Sequence, residues 1–297
     1  MIEPLRDDHG ARRYRIMHFD IDSRATFLND PEPTDPGAKE CWETSRKGII
    51  EGLAAEYGTR HIDRKIADFA ALGARPFSIV AYHNTMMTHV RAAFTAGAYY
   101  AALTGACALG ERILNHLMLD LRDHFKSSPH YKKIYNKESF DKWEVPITCL
   151  TDWGVLLPDV AKEYWEFKQT RNNALHFNAE TAKQLRGDAL KAIGHLDVVV
   201  GQQFSAFGLQ PWFISEIAGA SYIRKSYESD PFVRHFYIRP SPAIGPYHSV
   251  EWRSGFQFVD HPDYSVFGFT ELTDQEFTAR VQDVSPKWAA RMPENQQ

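Results

Sequence analysis

"YYAALTGACALGERILNHL", Tyr99–Leu117, decides how the chain reads. Its first part, Tyr99–Gly110, closes a run of nineteen uncharged residues, Ala92 to Gly110, long enough to span a bilayer. Most of these are Ala, Gly, Thr and Tyr, whereas insertion is driven mainly by Leu, Ile, Phe and Val. The stretch therefore reads as a buried, closely packed helix of a soluble protein, with no membrane association expected. Ala93, Gly97, Ala101, Gly105 and Ala108 offer small residues where another helix can approach closely. Leu109, Ile113, Leu117 and Leu121 then recur at i, i+4, so one flank is core. The whole pattern predicts one long helix from about Asn84 to Phe125.

Working outward, the same periodicity predicts helices over Ala38–Tyr57 and His61–Leu72, each followed by a glycine (Gly58, Gly73) placed as a C-cap. Ile62, Ile66 and Phe69 share one face of the second. "YRIMHFDID" alternates like a half-exposed strand, and "VPITCLTDWGVLLPD" reads as a mixed connector. Pro158 suits a helix start, and Val160, Tyr164, Phe167, Arg171 and Ala174 follow a 3.6-residue period. After a break at "FNAET", a further helix runs to about Phe207, buried through Leu185, Ala189, Ile193, Leu196 and Phe204. Beyond it, aromatic runs separated by Pro and Gly suggest short strands. The expected fold is mainly α: an N-terminal extension (1–83) with a strand-like segment and two helices, a helical bundle (84–208), and a small α+β or β-rich C-terminal region (209–297).

The chain has 297 residues, 43% hydrophobic, with a net charge of −4. That excludes whole-surface attraction to nucleic acid and requires any such contact to be local. Cys41, Cys107 and Cys149 form no CxxC pair, which argues against a zinc-thiolate site or a disulfide framework. The charged N-terminus is unlike a secretory signal, so a cytoplasmic location is expected. His18, Asp20 and Asp22 alternate on one strand face, but three ligand types without a partner cluster make a weak metal signal. No metal and no cofactor are expected.

The chemistry concentrates in "FKQTRNNALHFN", Phe167–Asn178. An arginine five residues before a histidine is not diagnostic, because Arg13 and His18 share that spacing in the strand-like segment. The second occurrence differs: Asn172 follows the arginine, and Arg171-Asn172-x-x-x-His176 ends a periodic helix. Asn172 and His176, at i, i+4, share a face, and Asn172 can fix the imidazole's tautomer. A histidine of pKa about 6.5 can take the proton of an RNA 2′-OH at neutral pH. The permanent charge of Arg171 can stabilise growing negative charge on the non-bridging oxygens. The leaving 5′-oxygen needs a second acid, which a twofold dimer pairing two motifs would supply.

Arg-Asn-x-x-x-His closing one helix, with the Ala-rich helix carrying Glu111 before it, resembles the HEPN (higher eukaryotes and prokaryotes nucleotide-binding) superfamily over about Asn84 to Gly208. The resemblance implies a four- to five-helix bundle and a metal-independent endoribonuclease of a toxin or defence system. By the same resemblance the protein would be a homodimer with a composite site. Catalytic residues would be Arg171, Asn172, His176 and Glu111, and the partner a neutralising antitoxin or a nucleotidyltransferase. It implies equally a non-catalytic module binding RNA, nucleotide or protein, since the superfamily contains such members. A further RNA contact is offered by "KSSPHYKKIYNKESFDKW", with five lysines against two acids among aromatics. Lys132, Lys133 and Tyr135 are its candidates, though the same pattern describes a solvated loop with anchoring aromatics.

Overall fold

The computed structural model describes residues 9–175, 181–246, 248–252, 256–260 and 271–289. The described chain is mainly helical and divides into two compact units, 20–205 and the combination of 1–19 with 206–297. The segment 20–83 thus shares a unit with the bundle helices.

In the helical unit, α1 (Arg24–Asn29), α2 (Pro36–Tyr57) and α3 (Ile62–Ala71) close over Ala25, Leu28, Leu53 and Phe69. Asp35 caps α2, its side chain accepting from Ala38 N at 2.8 Å, with Pro36 at the position where a missing N–H does no harm. Gly58 ends α2 at φ 77°, a value that favours glycine. Of the segment expected to be extended, Tyr14–Asp22, the end forms β2 (Phe19–Asp22), which pairs with β3 (Arg75–Ile79). Its first residue belongs to β1 (Arg13–Tyr14) of the other unit, and residues 16–18 between them are not strand.

The long helix expected from Asn84 to Phe125 is two helices, α4 (Tyr82–Ala96) and α5 (Tyr99–Leu121). Gly97 sits at φ 86°. Its N–H donates to Phe94 O at 2.9 Å, and that of Ala98 donates to Ala93 O at 2.9 Å. This pair of bonds is a Schellman termination. A Cβ at Gly97 would fall on the guanidinium of Arg64, so the residue read as a packing notch is where the helix stops. Packing notches do operate further along: a Cβ on Gly105 would stand 3.2 Å from Val90 Cγ2, where α4 crosses α5.

α5 is the centre of the bundle. Leu103, Ile113, Leu114, Leu117 and Leu121 have no exposed surface, and α4, α7 (Glu144–Asp152), α8 (Pro158–Leu175) and α9 (Thr181–Gln203) pack around it. α7 takes up the first part of the connector expected at 145–159. Pro146 is its third residue, within the first turn, whose N–H groups have no intrahelical acceptor, so proline is tolerated. α8 begins at Pro158 as expected and buries Val160, Tyr164 and Phe167 completely; α9 buries Ala189, Ile193 and Leu196. The expected break at "FNAET" lies largely outside the described residues. Among the described residues no helix is long and apolar enough to cross a membrane.

The second unit is α+β. β1 pairs antiparallel with β4 (Ala243–Ile244), and β5 (His248–Trp252) forms a hairpin with β6 (Phe256–Asp260). Ala11, Ile214, Ile217, Tyr222, Ile244, Leu272 and Phe277 make its core. Arg13 is fully buried there. It donates through Nε to Asp274 Oδ1 at 2.7 Å and through Nη2 to Leu272 O at 2.6 Å, which compensates the burial of its charge. The C-terminal helix Asp274–Ala289 is thereby tied to the N-terminal segment.

Candidate functional site

α5 and α8 bring Glu111 and Arg171 together. Arg171 Nη2 donates to Glu111 Oε2 at 3.2 Å, and Trp143 Nε1 donates to the same oxygen at 3.0 Å. The Arg171 guanidinium carbon also lies 5.9 Å from the centroid of the Trp143 ring, within cation–π range. Glu111 is one-third exposed and Arg171 about one-quarter exposed, so the pair lies at the edge of the bundle. Arg171 Nη1 donates to Asn172 Oδ1 at 3.3 Å.

This arrangement follows from local packing. Gly110 precedes Glu111, and a Cβ there would stand 2.6 Å from Phe167 Cε1 and 2.9 Å from Trp143 Cη2. Only glycine lets both rings close onto α5 at this level. Asn115, one turn on, accepts from Phe140 N at 2.7 Å and donates to Phe140 O at 3.2 Å. That double bond pins the 140–143 segment to α5 and seats Trp143, which is 1% exposed and meets Phe167 edge-on at 5.2 Å. Asn115 also donates to the Glu111 carbonyl at 2.9 Å, which leaves the Glu111 carboxylate to Arg171 and Trp143. Cys107, one turn before Glu111, is no nucleophile: burial pushes its thiol up to about 12, against the opposing pull of Arg171.

Of the residues singled out from sequence, the structure joins Arg171, Asn172 and Glu111, while His176 lies outside the described residues. Arg171 turns toward α5 rather than over the helix end. Lys132, Lys133 and Tyr135 stand exposed on α6 (Tyr131–Ile134) and just after it. Tyr135 stacks on Tyr131 at 5.9 Å, and Tyr131 donates to Asp123 at 2.7 Å. No described contact of these three reaches Arg171 or Glu111. Asp20 and Asp22 are held by cations: Arg75 donates to Asp20 at 2.6 Å and Arg24 to Asp22 at 2.8 Å. Among the described residues no group of three or more His, Cys, Asp or Glu could hold a metal ion.

Two features escaped sequence reading. Trp143 is 32 residues from its hydrogen-bond partner Glu111, a separation that carries no periodic signal. On the residue preceding Arg171, Thr170, a second polar chain ends: His195 on α9 pairs Nδ1 with Glu163 Oε1 at 2.6 Å and Nε2 with Thr170 Oγ1 at 3.1 Å. Its ring stacks on Phe167 at 5.2 Å. The chain Glu163–His195–Thr170 has the polarity of a nucleophile-activating relay, but Thr170 is only 7% exposed. The relay's position makes it a polar tie between α8 and α9 that steadies the turn bearing Arg171.

No protein-family model matches the chain, and no curated protein or solved structure matches it significantly.

Proposed function

We propose that the protein is a metal-independent endoribonuclease of HEPN type, toxin- or defence-like, with its active site at Arg171-Asn172-x-x-x-His176. The observation that supports the reading best is the seating of Arg171. Its guanidinium is oriented by a carboxylate and an indole face yet stays partly open to solvent. Such a group is preorganised for a developing phosphorane, where fixed charge counts most.

In the proposed reaction His176 removes the 2′-OH proton and the 2′-oxygen attacks the adjacent phosphorus. Arg171 balances the charge on the non-bridging oxygens. The 5′-oxygen leaves with a proton from His176 of a second copy across a twofold axis. The products are a 2′,3′-cyclic phosphate and a 5′-hydroxyl. Asn172 would orient the imidazole, and Glu111 would hold Arg171 rather than exchange protons.

The test is incubation of the purified protein with RNA in excess EDTA, followed by end-group analysis. Cleavage leaving cyclic phosphate ends, lost in both His176→Ala and Arg171→Ala, is the expected result. Cleavage that survives both substitutions, or that EDTA abolishes, would sink the reading. A second reading, a non-catalytic RNA- or nucleotide-binding module, draws on the Glu111–Arg171 ion pair, which already neutralises the motif's cation. It predicts binding without cleavage, unchanged by His176→Ala.

A further inference from the structure

A different carboxylate, beside the first residue of α5, is treated differently. Asp68 on α3 is 1% exposed, and three donors converge on it. Arg64 Nη1 reaches Oδ2 at 2.7 Å, the Tyr99 hydroxyl reaches the same oxygen at 2.7 Å, and Arg186 Nε reaches Oδ1 at 2.8 Å. One arginine would neutralise one carboxylate; here there are two, so the cluster carries an excess positive charge. The aspartate is buried while the cations are not: the Arg64 side chain is 39% exposed and that of Arg186 47%.

Both arginines are also built into place. Arg64 is packed against Gly97, where a Cβ would displace it, and donates through Nη2 to Ala96 O at 3.0 Å, a carbonyl at the negative end of α4. The stem of Arg186 is fixed by its guanidinium lying 5.6 Å from the Phe94 ring centroid. Arg186 engages Asp68 through Nε, and the terminal amino groups of its fork suit a second oxyanion. Tyr99 is the first residue of α5, a 23-residue helix, so the positive end of that helix dipole opens at the same place.

We propose that Arg64 and Arg186, gathered on Asp68, form an anion site that takes a phosphate group of a single-stranded RNA backbone. The choice of RNA as the source rests on the function proposed above; the site itself does not. In a chain of net charge −4, such a local excess is where a polyanion would be drawn. Tyr99 and Glu111 are twelve residues apart on α5, about 18 Å at 1.5 Å per residue. The Arg64–Arg186 site and Arg171 would therefore address different phosphates of one strand.

The test uses the full chain carrying His176→Ala, so that no strand is consumed, and a fluorescently labelled single-stranded RNA titrated between about 50 and 200 mM salt. Arg186→Gln removes the charge while keeping a donor for Asp68, and Arg64→Gln does the same on the other side. Lys47→Gln, on a lysine 77% exposed in α2, is the control. Each arginine variant should flatten the slope of log K against log salt by about 0.7 and weaken low-salt binding several-fold, with the control unchanged. In parallel, thermal unfolding is followed with inorganic phosphate against chloride at equal ionic strength. Phosphate should raise the Tm of the parent and lose that effect in Arg186→Gln. A lost phosphate effect with no RNA binding in any form would support the site and remove RNA as its ligand. Unchanged salt slopes together with an unchanged phosphate effect would overturn the proposal. Should Arg186→Gln unfold, Arg64→Gln carries both measurements.

Discussion

Glu111 and Asp68 are both carboxylates that tie α5's surroundings together, and they do opposite things with arginine. Glu111 is partly exposed and meets one guanidinium and one indole N–H. The result is neutral and directional, fixing where Arg171 points. Asp68 is buried and meets two guanidinium groups and a phenol. Its result is an accumulation of charge whose sign is set by the surplus arginine. An ion pair can thus serve as a clamp or as a charge collector, and the count of partners separates the two.

The largest expected effect lies at the clamp. Under the proposed reaction, Arg171→Ala should reduce RNA cleavage by on the order of 100- to 1,000-fold, the range for removing one transition-state donor, with folding little changed; single-turnover kinetics would read it. If cleavage persisted, Glu111 would be orienting nothing of catalytic use. Next comes the collector. Asp68→Ala leaves two arginines without their shared carboxylate, and the loss of a buried partner costs about 3–5 kcal/mol when both charges stay buried. The two arginine heads reach solvent, so a loss of about 2–3 kcal/mol is expected in urea denaturation. A cost below that of losing Glu111 would erase the difference between the Asp68 and Glu111 clusters.

Gly110→Ala should cost about 1–3 kcal/mol by overpacking against Phe167 and Trp143, again read by denaturation. It tests whether the clamp depends on close approach of the indole. The smallest effect is expected for Glu111→Gln, with a stability change under about 1 kcal/mol because the pair is partly exposed. RNA binding at low salt should tighten once Arg171 is no longer neutralised. Weaker binding instead would mean that orientation outweighs charge at this position.

Much of the bundle was legible because it depends on local pattern. Pro158 opens α8, Gly58 closes α2, and the i, i+4 leucines of α5 mark a face that is wholly buried. Gly97 was misread because small residues suit both a helix crossing and a helix stop, and the Arg64 that occupies the space beside it comes from another helix. α7 was missed because Pro146 looks like a breaker unless its place in the first turn is known. At the candidate site, motif and helix position single out Arg171, Asn172 and Glu111, and Arg171 bonds to both of the others. Trp143, Asp68 and Arg186 carried no comparable signal. Each acquires its role from a partner on another element, as in the 118 residues that separate Arg186 from Asp68.

The division of the chain has a consequence for synthesis. The unit built from 1–19 and 206–297 is discontinuous, and its first strand waits for Ala243–Ile244 while Arg13 waits for Asp274. The helical unit, 20–205, is complete in sequence long before those partners emerge from the ribosome. Vectorial folding would therefore leave the segment around Arg13, an arginine destined for full burial, unsheltered until Asp274 has been made. Of the two units, this is the one whose closure waits for its last helix.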